Sequence, residues 1–483
     1  MGELFLIKGE LHMKKFICLF VFMIMMLSST CFAKLSIPDS IRVGIYSGTR
    51  AVSSLTISSK TGMEIGTVDK DGEFELIESI KAGKEVSIKK GKKSNSVYVD
   101  GIGDIGDDEN YLRIIPSGRN DDLLLNVSAV NYRGVLESNN YRGEIEIRRF
   151  STSDMTVINE LSMQEYLYGV VPREIGGNSP IEAVKAQAII ARTYAAKNYN
   201  KRYKWDFNLT NTVDDQAYGG YNWENPNSNA AVDETYGMVA TYDGELIGGY
   251  YFSTSGGYTE SSENVWGGEV SYLEAVPDPY EPDNLSKTTW TVNYTAKDIE
   301  NLLDKKGVDI GNVTNMVVNE FSDAGRVLEL EIIGTDGTYT ANKSAARTLL
   351  NLNSQWYTIN DDEPMIPKYT LYTNEKVKND EEDDNIKEEK EMKPLLKRII
   401  DIVTMQKIED IESNDNTNTD EEMTTSKTKY LARKIKVDSF EIKGRGWGHS
   451  VGMSQNGAIG MAKNDFTCEE IIKWYYKGVE IAD

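Results

Sequence analysis

Apolar and polar positions alternate with a period of two through the first third of the chain. Ile41–Ile45, Val86–Ile88, Val97–Val99 and Ile145–Ile147 read as short strands, divided by turns of Gly, Asp, Asn and Lys. Tyr132-Arg-Gly134 and Tyr141-Arg-Gly143 read as two turns at strand edges. The period then changes. Ser162-Met-Gln-Glu165 is a capping box that opens a helix, and Pro172 closes it. Ser179-Pro-Ile-Glu182 reads as a second capping box with Pro180 at the first helical position, and this helix runs to about Ala196. Ile181, Val184, Ala188, Ala191 and Ala195 form its core stripe. Lys185 and Arg192 share another face, and Gln187 and Tyr194 a third.

Mixed signals follow between Asn208 and Leu352. The stretch from Tyr250 reads as a strand running into the turn Ser253–Gly257, Ala296–Leu303 as a helix, Val327–Ile333 as a strand and Lys343–Leu352 as a helix. Phe440–Lys443 reads as a last strand and Cys468–Tyr476 as a last helix. Between Glu375 and Glu422 the composition shifts to 17 Asp+Glu against 8 Lys+Arg, a net of −9, which predicts a disordered insertion with one short helix at Pro394–Met405. The expected fold is α+β. It has a β-rich part at 37–158, a mixed helix and strand core at 159–372 and an acidic insertion at 373–429. A segment at 430–483 completes the core.

A net charge of −23 over 483 residues argues against nucleic acid as a partner, since phosphate binding needs clustered Lys and Arg. Met13-Lys-Lys15, the apolar run Phe16–Leu27 and the small residues up to Ala33 read as an export signal cut after Ala33. The rival is an uncleaved anchor, for which the run is short of the about 20 residues a bilayer needs. Cys18 and Cys31 fall in this segment, leaving Cys468 as a packed residue and no disulfide framework.

Two segments carry chemistry. The first sets Glu174 just past Pro172, flanked by Val170, Val171 and Ile175, where partial burial would raise its pKa. Without further information, an exposed surface glutamate is the ordinary reading. The second, Gly444–Gln455, packs glycines around Trp447, His449, Ser454 and Gln455. Ser253 and Ser255 offer hydroxyls in the tight turn between them in sequence.

The runs Val170-Val-Pro-Arg-Glu174, Lys185-Ala-Gln-Ala188 with Ala191-Arg-Thr-Tyr194, and Gly446-Trp-Gly-His449 with Gly452-Met-Ser-Gln455 resemble the SpoIID/LytB family of peptidoglycan-degrading proteins. The resemblance covers Ile41 to the C-terminus, apart from the acidic insertion. It implies that Glu174 is the acid/base of a lytic transglycosylase acting on glycan strands stripped of stem peptides. It also implies that Lys185, Gln187, Arg192, Tyr194, Ser253, Ser255, Trp447, His449, Ser454 and Gln455 line or support the groove. A functional partner would be an N-acetylmuramoyl-L-alanine amidase. The LytB branch implies a rival, a glycan-binding amidase enhancer without Glu174 chemistry. A structural wall protein is a third reading. Some members hold zinc through Cys and His in the stretch matching Thr210–Tyr218. Here that stretch has neither, so no metal or cofactor is expected. Asp214 and Asp215 could bind a hard cation, but two adjacent carboxylates alone do not specify such a site.

Overall fold

The computed structural model describes residues 37–118, 123–151, 153–282, 288–360 and 437–483. The export signal, the acidic insertion and the short helix expected at Pro394–Met405 lie outside the described residues.

The fold is α+β. Seven strands form one sheet in the order Leu209–Thr210, Ser40–Tyr46, Met155–Ser162, Glu144–Arg149, Tyr111–Pro116, Met63–Val68 and Phe74–Ile80. A second sheet of six runs Leu136–Tyr141, Leu125–Val130, Ser54–Ser58, Glu85–Lys90, Val97–Val99 and Gly103–Ile105. The alternation in sequence is the alternation of faces. Val43, Ile57, Ile65, Ile88 and Val127 are all buried, each on a strand whose intervening residues are more exposed or small; on Glu144–Arg149 the intervening Glu146 is buried too, ion-paired with Arg42 and Arg113. Both Tyr-Arg-Gly steps are turns, as expected, with Gly134 and Gly143 at positive φ.

Eight helices follow among the described residues: α1 Met163–Val171, α2 Ile181–Lys197, α3 Pro226–Glu234, α4 Ser262–Trp266, α5 Ala296–Asp304, α6 Ser344–Leu349, α7 Gln455–Lys463 and α8 Cys468–Tyr475. The capping box at Ser162 is present in both of its hydrogen bonds. Such a cap contributes about 0.5–2 kcal/mol.

The second box is not formed. Pro180 is the N-cap of α2 and has no side-chain cap. The Ser179 hydroxyl donates backward to the Ile175 carbonyl at 2.7 Å. Glu182 accepts from the backbone N–H of Cys468 at 2.8 Å, the first residue of α8, instead of reaching to its own N-terminus. A carboxylate is favoured there because α8 presents unpaired N–H groups. Burial pushes Glu182 up, but Cys468 N–H and Lys185 outweigh it and hold its pKa down.

Helix α2 is not amphipathic. Twelve of its 17 residues are buried, including Gln187, Arg192 and Thr193 as well as the expected stripe from Val184 to Ala195. It runs through the larger apolar core, which joins the N-terminal strands, α1 to α3, α7 and α8. A smaller core gathers α5, α6 and the strands of residues 313–359 with Phe440 and Ile442. No described helix is long and apolar enough to cross a membrane.

Candidate active site around Glu174

Pro172 has no N–H to give, so α1 cannot continue in α geometry. The chain widens into a π turn, Pro172–Gly176, and breaks at Gly176 with φ +86°. Glu174 sits in this turn, which prolongs α1, where a loop between two helices was expected. As a residue Glu174 is half-buried.

Three donors from three distant segments meet it. The Ala217 N–H donates to Oε1 at 2.7 Å, Gln455 Nε2 to Oε2 at 3.3 Å, and the Tyr251 hydroxyl donates as well. Tyr251 stands on a two-residue strand paired in parallel with Met453–Ser454, so the ladder that places Tyr251 also places Gln455. Behind Tyr251 the buried polar groups form a one-way chain. Tyr166 donates to Gln216 Oε1 at 3.1 Å, and Gln216 Nε2 donates to the Tyr251 oxygen at 3.1 Å. Each link of the chain donates toward Glu174, Gln216 giving a further N–H to the Ala191 carbonyl at 3.3 Å, and such chains polarise one another. Burial raises the Glu174 pKa, and it outweighs the three donors and the Arg173 charge, which lower it. The net direction is upward, as the flanking apolar residues led one to expect.

Beside Ala217 opens a cleft of about 560 Å³, whose lining includes Arg50, Glu137, Tyr141, Arg173, Val213 and Trp223. It adjoins a second hollow of about 240 Å³ with Trp205, sharing Arg50, Asn211 and Thr212 with it.

The other expected residues divide sharply. Gln455 joins Glu174 directly. Gln187 is buried beside it, accepting from Gln455 Nε2 at 3.4 Å while its own Nε2 has no partner among the described residues. Lys185 is paired with Glu182 and Glu234. Arg192 is 2% exposed and spends its guanidinium on the carbonyls of Met238 and Val232. A group sealed in this way holds α2 to α3 and its flank and cannot touch a ligand. Tyr194 is buried, with its hydroxyl accepting from Lys201.

Ser255 and Ser454 are fully buried and likewise cannot line a groove. Ser255 donates to Glu281 Oε2 at 2.9 Å, and Ser454 caps α7 through the Gly457 N–H. They brace a buried pair of acids, Asp278 and Glu281, the first accepting from the Tyr475 hydroxyl at 2.9 Å. Burial raises both carboxyls, and Asp278 raises Glu281 further. Ser253 gives its carbonyl to Asn456. Trp447 is 39% exposed and pairs its backbone with Thr254. His449 packs against the rings of Tyr250, Phe252 and Trp266, accepts from Val451 N–H through Nδ1 and bonds the Tyr251 carbonyl. Its ring secures the strand that carries Tyr251.

Sequence reasoning missed Tyr251, Gln216, Tyr166 and Ala217. Ala217 lies in the stretch scanned for zinc ligands, and what it supplies is a backbone N–H, which no residue type advertises. Asp215 in that stretch is bound by Lys201, Arg202 and Thr210, so Asp214 and Asp215 do not form a cation site.

A family model described as Stage II sporulation protein matches residues 151–242, which contain Glu174 and Ala217. A domain of unknown function matches residues 273–373, the region of the smaller core. The chain is 31% identical over 333 residues to an uncharacterised protein of Brachyspira hyodysenteriae, covering 68% of this chain and 69% of that protein. It is 29% identical to the amidase enhancer of Bacillus subtilis, over 65% of this chain and 40% of that protein. With Stage II sporulation protein D of Bacillus subtilis it shares 25% identity, over 70% of this chain and 79% of that protein. The family-model match that contains Glu174, together with these relatives, makes this chain a member of the SpoIID/LytB family.

Proposed function

We propose that the protein is a lytic transglycosylase that cleaves peptidoglycan glycan strands outside the cytoplasmic membrane, with Glu174 as its acid and base. The observation that supports this reading is the environment of Glu174. A single carboxyl of raised pKa is held by neutral donors behind Arg173 and Ala217, which line an open cleft, and no second carboxylate is bonded to it among the described residues.

In the first step protonated Glu174 donates to the glycosidic oxygen between muramic acid and N-acetylglucosamine as the C1–O bond breaks. In the second, the 6-hydroxyl of the same muramic acid attacks C1 and passes its proton back to the Glu174 carboxylate. The product is a 1,6-anhydro end, and one group serves both steps because its two protonation states follow one another. A two-carboxylate hydrolase would need a partner acid at a set separation. Tyr251, Gln455 and Ala217 stabilise the carboxylate between the steps.

A second reading is supported by the likeness to the amidase enhancer: a glycan-binding module that assists an amidase. The deciding experiment incubates the full chain and its Glu174→Gln variant with peptide-free glycan strands and with intact peptidoglycan, reading products by mass spectrometry. Anhydromuramic ends made only by the unaltered chain are expected. Reducing ends would indicate hydrolysis. Binding without cleavage would favour the enhancer.

A further inference from the structure

We infer that the hollow beside Trp205 holds a further sugar ring of the strand that is cut at Glu174, so that the protein grips long strands more tightly than short ones. The inference rests on the proposed glycan-cleaving reading. It concerns residues outside the motif runs around Glu174, Lys185 and Trp447.

Trp205 is 53% exposed, yet its place is fixed. It ends a single 3-10 turn, Tyr203–Trp205, which Asp206 closes at φ +59°. Arg148 grips the Asp206 carboxylate at 2.7 Å, and Arg42 Nε donates to the Asp206 carbonyl at 3.0 Å. The Phe150 ring meets the indole edge to face, with centroids 6.0 Å apart. An indole held in this way before any ligand arrives loses little freedom on binding.

Phe207 gives the hollow an apolar floor. Its buried ring lies on Gly44, where a Cβ would come within 2.9 Å of it. The rest of the lining is largely polar. Among the described residues the hydroxyls of Ser47 and Thr49 bond no protein group. Asn211 accepts from Arg50 through Oδ1 at 3.1 Å and keeps its Nδ2 unbonded. The charges cancel, for Arg202 is spent on Asp215, and Arg50 and Asp214 are of opposite sign.

An aromatic face beside hydroxyls and an amide, with no net charge, fits a neutral pyranose ring. The C–H face of the ring packs on the indole, and its hydroxyl and acetamido groups meet the unbonded donors and acceptors. Arg50, Asn211 and Thr212 line both the hollow and the cleft, so a strand lying in the cleft passes into the hollow without leaving the protein. A ring in the hollow is bound alike before and during bond cleavage, and it therefore contributes affinity for long strands.

The test measures equilibrium binding by the full chain carrying Glu174→Gln, so that nothing is cleaved. The probes are peptide-free glycan strands fractionated by length, and matched fractions that keep their stem peptides. Affinity for peptide-free strands should climb with length. Adding Trp205→Ala should weaken binding of the longest fraction about tenfold and leave the shortest at its former affinity. Trp205→Phe keeps an aromatic face and should recover most of the loss. Equal loss at every length, or no loss at any, would overturn the inference and leave the glycan reading intact. So would a loss confined to strands that keep their peptides, which would give the hollow to peptide. Failure of every fraction to bind before Trp205 is altered would overturn the glycan reading itself.

Discussion

Gln455 donates to Glu174 across 3.3 Å although 281 positions separate them in the chain. The hydrogen bond joins the two motifs into one site, and the parallel pairing of Tyr251 with Met453 holds the joint. The donors around Glu174 stabilise its charged form, whereas burial favours its neutral form.

Tyr251→Phe removes one of those donors and should raise the Glu174 pKa further. The alkaline limb of the rate against pH on peptide-free glycan should move to higher pH. An unchanged limb would mean that Tyr251 does not set this proton.

Arg192→Met keeps the length of the side chain but withdraws its N–H groups from the Met238 and Val232 carbonyls in the interior, leaving Val232 only the Thr235 hydroxyl at 3.3 Å. The cost should be about 1–3 kcal/mol of stability, read as a lower urea midpoint. Were Arg192 a substrate contact, KM would rise with the midpoint unchanged.

Asp278 and Glu281 have pKa values raised by burial, and for Glu281 by Asp278 as well. The folded state retains protons that the unfolded chain gives up. Stability is therefore complete at pH below the ordinary carboxylate range and is lost as pH rises through the raised values. Glu281→Gln should flatten this decline in urea melts taken from acid to mildly alkaline pH. A slope equal to that of the unaltered chain would refute it.

His449 slopes the other way. Burial, then Arg347, lowers its pKa from 6.5 to about 4, against the pull of the Tyr251 carbonyl. Between those values the unfolded chain binds the extra proton, so stability falls as pH drops through that window. His449→Gln should remove this acid step. Retention of the step in the variant would place the titration elsewhere.

Gly457 locks α7 against the buried acids, since a Cβ there would lie 2.0 Å from the Tyr475 hydroxyl and 2.3 Å from Asp278. Gly457→Ala should cost about 1–3 kcal/mol and weaken the seating of Gln455. Thermal melts check the first effect, and the pH–rate profile checks the second.

Local codes were legible in the sequence. A capping box such as Ser162 with Glu165 is settled within four residues, and strand alternation is settled by neighbours on one pleat. Ser179 shows the limit. Its pattern is that of a cap, but the Ile175 carbonyl was a nearer acceptor, and the Cys468 N–H drew Glu182 away. Polar residues in α2 and in the glycine-rich segment were legible as polar. Whether they face a ligand depends on what packs over them, which buried Arg192, Ser255 and Ser454.

By itself the sequence determined the α+β order of elements, the end of α geometry at Pro172 just before Glu174 and the segment that carries Gln455, because short-range hydrogen bonding and periodicity dictate them. Only the tertiary structure decided that Ala217, Tyr251 and Gln455 converge on that carboxylate, that Arg50 and Arg173 share a cleft, and that Asp278 and Glu281 are buried together. These contacts join distant parts of the chain, and they exist because burial of the shared apolar core draws those parts together.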